Sequence, residues 1–285
     1  MTDPVDDLLA RRFPSHKELL RVARRWNRSG DPDDLDRAGR LLAALTAPDR
    51  YPTALHLWYE RAFNLGRRRR PDEAEALLGE VDRLFGGQLD EDAYGLWGRL
   101  YKDRGHAHLD AGLAQPPGAT GRKLEFEQAY QEYAKAAGRY RRACDLTDTG
   151  FPEVNVAFLV FVRAGLATAL GLGAEAAALE AAARDQAAAL LRPDRRWERR
   201  QPDDHVWQLA TRGEAAAILG RWDDAVAHYL AAATHADAQP YFPQSMGDQL
   251  RRVTQGHDLL GRPAPPELAD NLPPLRPYLR PATGT

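Results

Sequence analysis

The stretch Leu209-Ala210-Thr211-Arg212-Gly213-Glu214-Ala215-Ala216-Ala217-Ile218-Leu219-Gly220-Arg221-Trp222-Asp223-Asp224-Ala225-Val226-Ala227-His228-Tyr229-Leu230-Ala231-Ala232 decides the fold. Its first half places Gly213 and Ala216 where a partner helix would cross, and Gly220 turns the chain. Its second half returns Ala225, Tyr229 and Ala232, four and three residues apart, on the face that looks back. One such pair cannot bury its apolar face alone, so further pairs are expected along the chain. The same frame fits Leu55, Trp58-Tyr59, Ala62 and Gly66, then Tyr94, Trp97-Gly98, Tyr101 and Gly105, then Val154, Ala157-Phe158, Phe161 and Gly165.

This spacing is that of tetratricopeptide helix pairs, but Gly66, Gly105, Gly165 and Gly220, read as turn glycines, are 39, 60 and 55 residues apart, not the even 34 of a regular array. The prediction is an all-α fold: an irregular tetratricopeptide-like helix-pair superhelix with N-terminal helices and a C-terminal capping helix. Composition agrees. The 285 residues include 48 Ala and 38 Leu but one Ile and ten Val, a balance that favours helices over strands. The run Val154 to Val162, apolar enough for a strand, reads as helix because it leads into a helix-pair glycine.

Three short amphipathic stretches precede the array: Val5 to Phe13, Ser15 to Asn27 and Asp33 to Leu45, broken at Phe13-Pro14, at Ser29 to Pro32 and at Ala47 to Asp49. Ser15 with Glu18 three residues on forms a capping-box pattern. Arg21, Arg24, Arg25 and Arg28 make one basic face, read as solvated surface. The first pair has an extended turn, Arg67-Arg68-Arg69-Arg70-Pro71, before its second helix at Ala74 to Phe85. The loop Ala114 to Gly121 leads to a long second helix from about Lys123 to Leu146, and Gly173 to Leu191 is the second helix of the third pair. Arg192 to Pro202 links to the last pair, and Gln244 to Leu260 is the cap. The tail from Arg262 holds seven prolines and is read as non-helical, lying on the cap or disordered. The expected organisation is residues 1–50 as an N-terminal helical region packing on the array, 51–260 as the tetratricopeptide-like domain and 261–285 as a Pro-rich tail.

Net charge is −2, from 39 basic and 41 acidic residues, so no global electrostatic footprint for nucleic acid exists and a nucleic-acid partner is not expected. The longest apolar run, seven residues from Val156 to Val162, is too short to span a bilayer, the start is acidic rather than signal-like, and a lone Cys144 fits a reducing compartment. The expected location is the cytoplasm, with no membrane partner. Thirty-five of the 39 basic residues are Arg, a skew that more often follows genome composition than chemistry.

Enzyme motifs are thin. The three serines sit in no nucleophile elbow, and neither a phosphate loop nor a dinucleotide fingerprint occurs. Cys144 reads as a buried structural thiol. His106-Ala107-His108-Leu109-Asp110 imitates a metal tripod, but on a helix His108 faces away from the other two, so no metal and no cofactor is expected. More is gained by asking which side chains of the first helices face the groove. The frame selects His56, Glu60 and Asn64 in the first pair and Gly95, Arg99, Lys102 and Asp103 in the second. The third gives Asn155, Leu159, Val162 and Arg163, and the last gives Ala210 and Glu214 with Trp207 at the rim. Arg99, Lys102, Asn155 and Arg163 thus form one wall able to hold a carboxylate or phosphate through charge-assisted hydrogen bonds. The competing interpretation is that these are solvated surface groups, Arg99 pairing with Asp103 one turn on.

Three blocks, Gly98-Arg99-Leu100-Tyr101-Lys102-Asp103, then Tyr140-Arg141-Arg142-Ala143 with Phe151-Pro152-Glu153-Val154-Asn155-Val156-Ala157, then Asp203 to Gly220, resemble the TRAFs-binding domain. That is the tetratricopeptide-like regulatory region of the apoptosis signal-regulating kinases and of many bacterial proteins. The likeness spans roughly residues 52 to 255. It implies a sensor or adaptor module; the bacterial relatives are associated with immunity-type systems, where a nucleotide-like ligand has been suggested. By motif position it implies Arg99, Tyr101, Lys102, Asp103 and Asn155 as pocket residues. The chain departs from the kinases in having no kinase domain, and adds the Pro116-Pro117 loop, the Arg-rich N-terminal helices and the Pro-rich tail.

The expected function is therefore a non-enzymatic regulatory sensor or adaptor that binds a small anionic, nucleotide-derived ligand in the groove and signals to a separate effector protein or peptide. The alternative is a protein-interaction scaffold in which Arg99 and Lys102 clamp the carboxylate of a peptide. An enzyme of unknown type comes third, for want of a nucleophile or metal set.

Overall fold

The structure is a computed structural model and describes residues 4–10, 15–195, 197 and 204–279. Among these it is all-α: thirteen helices and no strand. The break expected at Phe13-Pro14, most of the Arg192 to Pro202 link and the proline at 281 lie outside the described residues. The chain divides into two compact units, Met1–Leu100 and Tyr101–Thr285.

The first unit begins with α1 (Pro4–Ala10), α2 (His16–Ser29) and α3 (Pro32–Leu45), followed by the pair α4 (Leu55–Arg67) and α5 (Pro71–Leu84) and the start of α6 (Glu91–Leu113). Ser15 caps α2 as its sequence predicts, its side chain accepting from the Glu18 amide at 3.2 Å. Leu19, Ala23, Leu41, Leu42, Leu45 and Leu57 close a core shared by α2, α3 and α4. Beside it runs a buried polar network. Asn27 donates to the Glu60 carboxylate at 3.1 Å, Arg24 donates to the same carboxylate at 2.6 Å, and Asn64 donates to Asn27 Oδ1 and to the Leu35 carbonyl, each at 2.8 Å. Two expectations change here. Glu60 and Asn64, assigned to an open groove, are covered by α2 and α3 and are 4% and 1% exposed. Arg24 leaves the solvated basic face to pair with Glu60, while Arg21, Arg25 and Arg28 stay exposed.

The second unit contains the rest of α6, α7 (Thr120–Cys144), α8 (Phe151–Ala169), α9 (Gly173–Leu190), α10 (Asp204–Ile218), α11 (Trp222–Ala233), α12 (Phe242–Leu259) and the single turn α13 (Arg276–Leu279). Its centre is α8, against which α7, α9, α10 and α12 all pack. By length and composition α8 could cross a membrane, but most of it is buried inside this unit. That surround overturns the groove assignment of Leu159 and Val162, which are fully buried core residues. Gly213 of α10 lies against the Tyr229 ring of α11, where an added Cβ would sit 2.9 Å from a ring carbon, as the repeat frame requires.

The four frame glycines serve different ends. Gly220 turns the chain with φ +73°, a conformation that other residues rarely adopt. Gly105 and Gly165 instead lie inside α6 and α8, and Gly66 lies in the last turn of α4. An added Cβ at Gly105 would stand 2.6 Å from the Tyr133 ring, and one at Gly165 would stand 2.9 Å from the Gly256 carbonyl. Both first helices continue past the expected turn, and their glycines instead leave room for a close neighbour. As far as residue 279 the tail lies on the cap, one of its two expected placements, but it contains a helical turn. Its residues to 279 fold back on α12, with Leu272 and Leu275 fully buried, Tyr278 against Gly247, and one helical turn despite the prolines.

Candidate functional site

Lys102, Asn155 and Glu214 meet in the second unit. α6 brings Lys102, whose ammonium donates to Asn155 Oδ1 at 2.8 Å and lies 5.8 Å from the centre of the Tyr140 ring. α8 supplies Asn155, oriented by donation of its own amide to the Phe151 carbonyl at 2.9 Å. α10 adds Trp207, Ala210, Thr211 and Glu214, α11 adds Tyr229, and α12 adds Ser245, Met246 and Gln249. They enclose a cavity of about 60 Å³, enough for a carboxylate-sized group or two waters at roughly 30 Å³ each.

Burial sets the chemistry. Glu214 is 7% exposed and accepts from Gln249 at 2.8 Å. Loss of water pushes its carboxyl up to about 7, against the opposing pull of the Gln249 bond and the Lys102 charge. Near neutral pH it therefore exists both as a carboxylate and as a proton donor. The Tyr229 hydroxyl, 1% exposed, has no hydrogen-bond partner. Burial and the neighbouring Glu214 hold its pKa well above the usual phenol range, so it stays a donor. At the mouth Phe151, 45% exposed, stands edge-on to Trp207 at 6.4 Å between ring centres. Trp207 in turn contacts Phe242 at 4.5 Å, and the exposed Tyr241 lies 4.7 Å beyond. The arrangement offers a cation and two neutral donors at the bottom, with flat aromatic surface outside.

The sequence-derived residues separate accordingly. Lys102 and Asn155 come together as expected, and Ala210, Glu214 and Trp207 join them on the positions that the frame selected. Arg163 does not belong to this wall. It is eight residues beyond Asn155 on α8, about 12 Å along the axis, and its guanidinium lies 4.3 Å from the centre of the Tyr130 ring. Tyr101 is buried, with Arg104 and Lys135 over its ring at 5.8 and 5.6 Å, and Asp103 is exposed; neither lines the cavity. Arg99 is exposed on the part of α6 that belongs to the first unit. Tyr229 and Gln249 were missed: the frame gave Tyr229 only a packing role, and the capping helix has no frame.

The His106 to Asp110 segment sends its side chains to three partners. His106 meets the Tyr133 hydroxyl at 2.7 Å, His108 meets Glu125 at 2.7 Å, and Asp110 pairs with Arg252 at 2.6 Å. Among the described residues no cluster suits a metal ion. Cys144 is half-buried rather than fully buried, and burial pushes its thiol up to about 12, which leaves it protonated and unreactive.

Residues 34–160 match the family model described as Tetratricopeptide Repeats-Sensor. The match supports a tetratricopeptide-like sensor domain, of a kind that is generally non-catalytic and mediates interactions with other proteins. It covers α4 to α7, most of α3 and the first half of α8, including Lys102 and Asn155. No curated protein and no solved structure matches the chain.

Proposed function

We propose that the protein is a non-enzymatic cytoplasmic sensor or adaptor of the kind its likeness to the TRAFs-binding domain implies. Its cavity takes the anionic end of a small, nucleotide-derived ligand, and occupancy is read by a separate effector, as in bacterial immunity systems. The observation that carries this reading is the Lys102 ammonium, held by Asn155 at a small, half-enclosed cavity that Tyr229, its hydroxyl unbonded, also lines. An anion there gains a charge-assisted bond from Lys102 and a neutral one from Tyr229. Protonated Glu214 adds a third donor. Only a small terminal group fits inside, so the remainder of the ligand lies over Phe151 and Trp207, where a base stacked on an aromatic side chain gains about 1–3 kcal/mol.

The test is a panel of nucleotides measured by thermal shift and calorimetry on the full chain. Binding should raise the melting temperature of wild type, and Lys102→Ala and Trp207→Ala should each weaken it. The reading fails if no nucleotide binds, or if Lys102→Ala responds as wild type does. The small volume also favours a second reading, in which the guest is the terminal carboxylate of a partner peptide. Abolition of peptide binding by C-terminal amidation separates the two.

A further inference from the structure

A larger concavity lies in the first unit, a groove of about 670 Å³ between α3, α4 and α5, within the size range of small-ligand sites. Helical spacing puts Arg61 and Asn64 on one face of α4, with Arg68 capping its end, and Glu73, Glu80 and Arg83 on one face of α5. Arg40 joins from α3, and Arg70 from the four-arginine turn at residues 67–70. Five guanidiniums thus face two carboxylates.

The distribution of partners matters more than the excess of charge. Arg61 donates to the Thr46 hydroxyl at 3.0 Å and lies 5.7 Å from the Trp58 ring centre, and Arg83 donates to the Gly79 carbonyl at 3.3 Å. Neither pairs with a carboxylate among the described residues. Burial lowers the pKa of Arg61, and Glu80 only partly offsets this from a distance, so a bound anion would relieve a desolvated charge. Arg68 pairs with Asp36, and Arg70 with Glu73, each at 2.6 Å, but those carboxylates are 63% and 54% exposed. Exposed pairs of this kind contribute little and exchange readily for a better anion. Asn64 supplies a separate sign of a ligand. It lines the groove, it is 1% exposed, and both amide hydrogens are spent on Asn27 and Leu35, while its Oδ1 has no partner.

We propose that this groove binds a compact polyphosphate group, that is, a small molecule with two or more linked phosphates. Planar guanidinium forks match phosphate oxygens in pairs, linked phosphates present enough oxygens for several forks, and a protonated phosphate oxygen supplies the hydrogen that Asn64 Oδ1 can accept. The site is independent of the Lys102 cavity and does not rest on the function proposed above.

Calorimetry of the full-length Lys102→Ala chain with inorganic tripolyphosphate tests it, since that variant lacks the ammonium that would draw a phosphate into the other cavity, and the probe carries no base for Phe151 or Trp207. One saturable site is expected, with tighter binding than orthophosphate and an affinity that falls as salt rises. Arg83→Ala should weaken it roughly ten- to a hundredfold, and Arg61→Gln should act in the same direction. Arg83→Ala decides, because Arg61 also anchors Thr46 and Trp58 and its loss could act through the fold. Absence of saturable binding in the Lys102→Ala chain, or an affinity there that Arg83→Ala does not lower, overturns the proposal.

Discussion

Replacing Tyr229 by Phe removes one oxygen from the floor of the cavity and nothing from the packing, since the ring that meets Gly213 remains. The hydroxyl is 1% exposed and has no hydrogen-bond partner. Burying such a group unpaired costs about 1–3 kcal/mol on the scale of protein mutations, and water reaching the cavity would offset part of that. Tyr229→Phe should therefore leave the ligand-free protein between unchanged and about 2 kcal/mol more stable. In urea the midpoint should hold or rise while the slope stays constant. Binding should move the other way. A hydroxyl that donates to an anion contributes about 1.5–3 kcal/mol, or roughly ten- to a hundredfold in affinity. Loss of more than about 1 kcal/mol of stability would mean that the hydroxyl has a partner in the free protein, and the argument that it waits for a ligand would fall.

Other substitutions probe the remaining parts of the site and fold. Lys102→Ala should weaken anion binding by about 1.5–3 kcal/mol and cost about 1–3 kcal/mol of stability, because Asn155 Oδ1 loses its donor; calorimetry and denaturation measure the two, and unchanged affinity would exclude Lys102 from the site. Glu214 is raised from 4.5 to about 7, so the folded state binds more protons than the unfolded chain between those pH values. Its contribution to stability is full below pH 4.5 and is lost as pH rises through about 7, by up to about 3 kcal/mol. Glu214→Gln should flatten that part of the stability profile. An anion beside Glu214 favours its protonated form, so affinity should rise as pH falls through about 7 in wild type but not in Glu214→Gln. Gly105→Ala should destabilise the fold by about 1–3 kcal/mol through overpacking against Tyr133, whereas a neutral or stabilising result would show that the helices can separate there.

The fold was legible because helix pairs repeat a frame of small and aromatic residues, and Gly213 with Tyr229 shows the contact that the frame encodes. The frame did not distinguish two uses of glycine. Gly220 turns the chain, while Gly105 and Gly165 admit a neighbouring helix, and only the neighbour's position separates these roles. The same frame selected Lys102, Asn155, Glu214 and Trp207, since each projects from one face of a first helix. It misplaced Leu159, Val162 and Arg163 because α8 is surrounded by four helices and has little free face to offer. Tyr229 was read from its ring, whereas its chemistry lies at the hydroxyl on the far end. Gln249 and the arginine groove come partly from helices outside the frame, the cap and α3, so no spacing within the repeats pointed to them.

Native mass spectrometry tests the central claim most directly, with purified wild type and Lys102→Ala each incubated with the nucleotide panel at low salt. Wild type is predicted to hold one more anionic small molecule, from the cell or from the panel, than Lys102→Ala does, whatever the arginine groove binds in both. Bare chains in both samples, or the same bound mass in both, would contradict a ligand site at Lys102.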